Sequence, residues 1–186
     1  MARFQIQRTS STVTWTGKKV LGLHTGNINI ASGNLEWQVD QITGGEIMMD
    51  MTSIVVTDID DPKTNKDFKD HLFHDDFFAV AKYPNSHLLI HSGTAIGNDQ
   101  YHLTGILTIK GIAQPVSFTV KVEVFTDTLF SLGELVIDRT LYNIRYGSKK
   151  FIDNLGDKLI HDCFVLQFKL VGQKETNTNA ETTKAK

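Results

Sequence analysis

Two histidines three positions apart are the first candidates for chemistry in the sequence. His71 and His74 would lie one turn apart on a helix, with Asp75 beside them, and imidazole and carboxylate groups are common metal ligands. A third ligand at a matching spacing is missing, so we predict no metal site. A metal-dependent enzyme that uses the His71/His74 pair stays open as an alternative.

Four basic residues lie close together late in the chain, Arg139, Arg145, Lys149 and Lys150. The planar guanidinium group matches phosphate oxygens, so these residues could contact an anionic head group, and Arg139 is a candidate ligand-binding residue. The alternative for Arg139, which we favour, is an ion pair with a carboxylate that stabilises the fold. We interpret Lys149 and Lys150 as surface residues.

Motifs of enzymes are missing from the sequence. There is no Gly-x-Ser-x-Gly nucleophile motif and no glycine-rich phosphate-binding loop. We therefore expect that the protein is not an enzyme and has no cofactor.

The elements that must position these residues are mostly strands. Apolar and polar residues alternate from Val116 to Val124, which puts five apolar side chains on one face of a strand. The same period of two recurs at 35–39, 47–51, 103–109 and 164–170. Turn signals lie at 31–34, 43–45, 97–100 and 110–111. Strands joined by short turns predict an all-β protein, an extended eight-stranded antiparallel up-and-down barrel.

One segment interrupts the strands and predicts a short helix at one mouth of the barrel. Asp61 is suited to cap a helix that begins with Pro62. The aromatic residues that follow, Phe73, Phe77 and Phe78, could form a movable gate over the mouth or a permanent plug, and both readings stay open.

Length and composition predict one domain, 1–172, followed by a disordered tail, 173–186, which has no large apolar residue. A net charge of −2 and a pI near 6.4 give no reason to expect nucleic acid as a partner. No apolar run is long enough to span a bilayer, so we expect no stable membrane insertion. No signal peptide is evident, so we expect a cytoplasmic location, or a periplasmic one if a leader has been removed.

Three strings of the sequence resemble a known family. They are DHLFHDDFFAVAKYPNSHLLIHS, LTGILTIKGIAQPVSF and IDRTLYNIRYG, and in this order they are similar to motifs of the YceI-like family of lipocalin-like, polyisoprenoid-binding proteins. The resemblance covers about Phe4 to Val171. It implies a barrel that encloses an isoprenoid chain or similar amphiphile, often as a homodimer. Asn143 stands where the family motif usually has glycine, and asparagine tolerates a left-handed backbone.

The resemblance favours a ligand in the barrel over an interior filled by side chains. The function it implies is to bind, carry or sequester an isoprenoid-type lipid or a quinone-like amphiphile. A stress-response scaffold that binds no ligand is the other alternative. Besides the aromatic residues and Arg139, the candidate lining residues are Ile28, Ile30, Trp37, Met49, Leu107, Phe118, Val120, Val122, Leu166 and Phe168.

Overall fold

The computed structural model describes residues 1–152, 155–156 and 159–176. Strands dominate the described part, with one α-helix and one short 3-10 helix. The elements in chain order are β1 (Ala2–Ile6), β2 (Thr12–Lys19), β3 (Gly22–Gln38), β4 (Gln41–Val56), α1 (Pro62–Phe73), β5 (Asn85–Gly97), β6 (Gln100–Ile109), β7 (Ile112–Phe125), β8 (Thr128–Asp138), the 3-10 helix (Arg139–Tyr142) and β9 (Ile160–Lys174).

The strands close into an eight-position antiparallel barrel, as the sequence predicts. Each strand from β3 to β8 pairs with the next one in the chain. β1 and β2 both pair with β3 on one side and β9 on the other, so together they fill the eighth position. A closed barrel leaves no long sheet edge exposed, and its inward side chains form a single interior.

Tight hairpins connect several of these strands. In the pairs Val39–Asp40, Asn98–Asp99 and Lys110–Gly111, both residues have positive φ angles. Two successive positive φ angles are typical of the type I′ turn, whose twist matches that of the flanking strands. The predicted turns at 97–100 and 110–111 are thereby confirmed.

The turns predicted at 31–34 and 43–45 are wrong, because β3 and β4 run straight through them. Their glycines occur instead where the two strands approach closely. A Cβ atom on Gly33 would lie 2.8 Å from Ile47 Cδ1, and one on Gly45 would lie 2.6 Å from the carbonyl oxygen of Asn34. Glycine within a strand often has this role.

Helix α1 begins as the sequence predicts and lies at one end of the barrel. The Asp61 side chain accepts a hydrogen bond from the Thr64 backbone N–H (2.7 Å), and Pro62 opens the first turn. The β2–β3 and β6–β7 turns and the 3-10 helix lie at this same end, which we call the mouth.

A left-handed residue ends the 3-10 helix at the mouth. Asn143 has φ 57° and ψ 33°, and its backbone N–H contacts the carbonyl oxygens of Arg139 and Thr140. Asn143 therefore adopts a left-handed conformation, which asparagine tolerates, as predicted.

The opposite end of the barrel is closed by a packed apolar layer. Phe4 and Leu129 are almost fully buried, and both lie within 3.5 Å of a Cβ atom built on Gly172. β9 continues through Gln173 and Lys174, so these two residues belong to the barrel and not to the predicted tail. The predicted disorder of 177–186 concerns residues outside the described ones.

Candidate functional site

An elongated cavity of about 460 Å³ lies inside the barrel, within the range of small-molecule pockets, about 300–1,000 Å³. Residues of β9 line it from Ile160 to Leu170, which spans about 33 Å along the strand at a rise of ~3.3 Å per residue. Most of its wall is aliphatic or aromatic. Such a shape and surface suit a long apolar molecule.

The wall changes in character from one end of the cavity to the other. The closed end is lined by aliphatic residues such as Leu35, Ile42 and Leu103, with Ser131 as a small hydroxyl. Apart from the two serines, Ser86 and Ser131, the polar and charged wall residues are concentrated at the mouth, namely Lys18, Lys19, His24, His71, Arg139, Tyr146 and His161. This gradient gives the cavity an apolar end and a polar end, as an amphiphile requires.

His71 on α1 contributes a buried polar atom to the mouth. Its Nε2 is buried and has no hydrogen-bond partner among the described residues; the nearest carboxylate oxygen, Asp76 Oδ1, is 3.8 Å away, too far for a hydrogen bond. The ring packs edge-on between Tyr146 and Phe77, with centroid distances of 4.3 and 5.7 Å. The ring lines the cavity, but Nε2 itself is shielded from it. A polar group of a ligand can therefore hydrogen-bond Nε2 only when the ring turns this nitrogen toward the cavity.

Arg139 lines the cavity, but most of its hydrogen bonds serve the fold. Its guanidinium group donates to four backbone carbonyl oxygens at 2.8–3.1 Å, and these belong to Ile144, Tyr146, Ile160 and His161. Asp162 Oδ1 lies 3.8 Å from Nη2. Burial lowers the pKa of Arg139, while the charge of Asp162 opposes this shift. An arginine stays charged even so, and its donors are largely occupied.

Of the three aromatic residues predicted over the mouth, Phe77 and Phe78 line the cavity. They contact each other edge-on, with a centroid distance of 5.0 Å. Phe77 also lies 6.0 Å from the Arg139 guanidinium carbon, and Phe78 lies 6.3 Å from the ring of Phe164. Both rings are thus part of the mouth wall.

Ten of the fourteen candidate residues line the cavity. They are Ile28, Met49, Phe77, Phe78, Leu107, Phe118, Val120, Arg139, Leu166 and Phe168.

Ile30, Trp37, Phe73 and Val122 are not among the cavity-lining residues. Ile30 has the same parity as the wall residue Ile28 and is buried in the core, but it does not reach the cavity. Trp37 packs edge-on against Tyr101, 5.4 Å away, at the closed end. Phe73, the last residue of α1, lies under Lys69 Nζ at 5.2 Å, and Val122 is buried in the core.

Several wall residues were missed by the sequence analysis. Trp15 lies on the same strand face as Val13 and Gly17, and Phe164 lies on the same face as Leu166. The period of two could therefore have identified both residues. Tyr146 lies in an irregular loop, where no periodicity could have identified it.

The described part of the chain contains no set of side chains that could hold a metal ion. His71 and His74 both approach Asp76 Oδ1, at 3.8 and 2.8 Å. No group of three or more histidine, cysteine, aspartate or glutamate side chains among the described residues is placed to hold one ion.

Fold and cavity together define a closed, lipocalin-like barrel with an apolar interior. The sequence matches the model of the YceI-like domain over residues 4–171, and the chain belongs to this family. A search of the curated proteins gives no match. No helix in the described part is both long enough and apolar enough to cross a membrane.

Solved structures share the fold. BcnA of Burkholderia cenocepacia is 23% identical, with a TM-score of 0.72 over 89% of this chain and 98% of that one. A polyisoprenoid-binding domain from Saccharophagus degradans, implicated in plant cell wall breakdown, is 16% identical, with a TM-score of 0.69 over 92% and 98%. The YceI protein of Campylobacter jejuni is 16% identical, with a TM-score of 0.58 over 86% and 85%.

Proposed function

We propose that this chain binds one elongated isoprenoid-type molecule, with the apolar tail inside the barrel and a small neutral head group at His71. The observation that carries the proposal is the gradient along the cavity wall, from aliphatic residues at the closed end to polar residues at the mouth. The polyisoprenoid-binding domain from Saccharophagus degradans has a similar fold and supports an isoprenoid tail.

The apolar wall supplies the affinity for the tail. Each methylene group that leaves water for an apolar environment contributes about 0.8 kcal/mol. A chain of many methylene or prenyl carbons therefore binds with little help from polar contacts. Met49 and Met51, both on the wall, can adapt to an irregular branched chain because their side chains are flexible.

The buried part of the mouth favours a neutral head group over a phosphate, because the cationic wall residues Lys18 and Lys19 are exposed or half-buried and lie in or beside the β2–β3 hairpin. Most donors of Arg139 are already directed at backbone carbonyl oxygens, so little of its hydrogen-bonding capacity remains for an anion. His71 is a wall residue whose buried Nε2 lacks a partner among the described residues, and a turn of the ring would bring this nitrogen to the head group. A hydroxyl can donate to this nitrogen or accept from it, and a quinone carbonyl can accept from it when the nitrogen carries a proton.

A series of ligands that share one apolar chain separates the contribution of the tail from that of the head group. Protein freed of lipid by organic extraction is titrated with phytane, phytol, phylloquinone and phytyl diphosphate, and binding is followed by native mass spectrometry. We expect one equivalent of each neutral ligand. His71→Phe should weaken phytol and phylloquinone about tenfold, the value of one hydrogen bond, and leave phytane unchanged.

His74→Phe is the matched control, because His74 directly follows the last residue of α1 and its side chain is 68% exposed. This variant should bind all four ligands like the wild type. The proposed function would be overturned if none of the phytyl compounds bound. Preferential binding of the diphosphate, unaffected by His71→Phe, would overturn the neutral head group.

Sequestration or transport of the ligand, a cytoplasmic location and a homodimer stay predictions of the sequence. The dimer is tested by sedimentation equilibrium of the full chain with and without phytol. A mass of one chain in both states would contradict it.

A further inference from the structure

Exposed apolar side chains surround the mouth of the barrel. Val20, Leu21 and Leu23 in the β2–β3 hairpin are 47%, 68% and 48% exposed. Phe151 and Ile152 in the segment after the 3-10 helix are 46% and 43% exposed. Large apolar side chains grouped in this way at one end of a protein often mark a site of interaction.

The hairpin and the later segment are neighbours in space. The Val20 N–H donates to the carbonyl oxygen of Leu159 at 3.2 Å, and the Ile160 N–H donates to that of Gly147 at 2.8 Å. Lys19 is paired with Ile160 in the sheet. We call residues 17–23 and 143–152 together the mouth surface.

The mouth surface is also basic. It carries Lys18, Lys19, Arg145, Lys149 and Lys150 and no acidic residue. Lys150 forms ion pairs with Asp138 and Asp162, at 2.8 and 3.4 Å. For the other four, no ion pair occurs among the described residues, and Arg145 stacks on Phe151 at 4.6 Å. The acidic side chains at this end of the barrel, such as Asp67, Asp70, Asp75 and Asp76, lie on α1 or just after it. The mouth surface itself therefore has a net positive charge beside its apolar side chains.

We propose that the mouth surface docks the barrel onto an anionic phospholipid bilayer. Apolar tips that enter the interface beside lysines that reach lipid phosphates are typical of peripheral membrane binding. A protein partner fits less well, because lysine is depleted in protein interfaces. Lys18, Lys19 and Tyr146 belong both to this surface and to the cavity wall, so docking would turn the mouth toward the lipid. Exchange of a ligand there rests on the proposed function; docking itself does not.

The test is sedimentation of the full chain with vesicles of phosphatidylcholine alone or mixed with phosphatidylglycerol, both free of isoprenoid lipids. We expect binding to the anionic vesicles that weakens as salt is raised. Leu21→Glu and Phe151→Glu should each lower the partition coefficient at least tenfold. Lys149→Glu, which replaces a favourable charge by an unfavourable one, should lower it more than fivefold.

Val39→Glu is the matched control, because Val39 is an 85% exposed hairpin residue at the closed end. It should bind vesicles like the wild type. Equal loss in Val39→Glu and Leu21→Glu, or no wild-type binding to anionic vesicles, would overturn the proposal. A third outcome would also overturn it: Leu21→Glu dissociates a dimer in sedimentation, and neither the wild type nor this variant binds vesicles. The mouth surface would then be a contact between two copies of the chain.

Docking and ligand binding can be tested independently of each other. His71→Phe should keep vesicle binding and lose only head-group affinity, whereas Leu21→Glu should bind phytol in solution like the wild type. Loss of both activities in either variant, with the thermal transition unchanged, would contradict the separation of the two sites.

Discussion

His71 packs edge-on against Tyr146, with 4.3 Å between the ring centroids. This contact joins helix α1 to the segment after the 3-10 helix, so two elements far apart in the sequence form one wall of the mouth. Arg139 holds the same segment, because it donates to the carbonyl oxygen of Tyr146 at 2.8 Å. The mouth is thus a connected structure built around the cavity.

The depth of the cavity should determine the chain length that binds. Ser131 is a small residue on the wall near the closed end, so Ser131→Trp should fill that end. We expect phytol to bind at least tenfold more weakly and the shorter geraniol to be little affected, measured by native mass spectrometry. Ser131→Ala is the control. Equal effects on both alcohols would mean that the chain does not reach the closed end.

Arg139 should be required for stability more than for affinity. Arg139→Met removes four hydrogen bonds to carbonyl oxygens and leaves Asp162 beside an uncharged side chain. We expect a loss of about 3–5 kcal/mol in the free energy of unfolding, measured with urea. Arg145→Met, at the exposed surface, should change it by less than about 0.5 kcal/mol. Similar losses in both variants would contradict the structural role of Arg139.

The left-handed conformation of Asn143 gives a prediction about the family motif. Asn143→Gly should leave the free energy of unfolding unchanged or raise it slightly, because glycine adopts φ 57° without strain. Asn143→Val should lower it by about 1–2 kcal/mol, the cost of a left-handed β-branched residue. Equal stability of the two variants in urea unfolding would mean that this conformation is not kept in solution.

Asp138 should make stability depend on pH in the acid range. Burial alone would raise the pKa of Asp138, but hydrogen bonds from Lys150 and Thr140 outweigh it, and the pKa is lowered. Because the unfolded aspartate has a pKa of about 3.9, this stabilisation is fully present above that pH. It is lost as the pH falls through the lower folded value.

Asp138→Asn keeps a side-chain oxygen for capping and removes the charge, so it isolates this effect. Between neutral pH and about pH 3, the variant should lose less stability than the wild type in urea unfolding. Burial alone would also raise the pKa of Asp58, but its contacts with Thr25 and His24 lower it. Asp58 is present in both proteins, so its contribution cancels in this comparison. A larger loss in the variant would contradict the assigned direction.

The barrel could be predicted from the sequence because its signals are local. Alternation marks each strand, and the Asp61–Pro62 pair marks the start of the helix. The glycines of β3 and β4 were misread as turns because glycine serves both turns and close strand contacts. Most of the cavity wall followed the same alternation, but alternation does not tell which inward residues reach the cavity, since Ile30 and Val122 are buried in the core and do not line it.

The chemistry of the mouth could not be predicted in the same way. The partners of Arg139 are backbone carbonyl oxygens in an irregular segment and in β9, and backbone groups have no sequence signature. His71 was recognised only as a possible metal ligand, since its unpartnered nitrogen depends on the packing of Tyr146 and Phe77 around it. Tertiary contacts, and not local propensity, assemble this end of the barrel.

The central claim is that an apolar chain lies inside the barrel, and the two tryptophans test it directly. Trp15 is on the cavity wall, whereas Trp37 packs against Tyr101 and is not a wall residue. The measurement is fluorescence quenching by phytol that carries a nitroxide in the middle of its chain. Trp37→Phe, which retains Trp15, should be strongly quenched at one equivalent, and Trp15→Phe, which retains Trp37, should be quenched much less. Equal quenching of both variants, or none in Trp37→Phe despite binding, would contradict a chain inside the barrel.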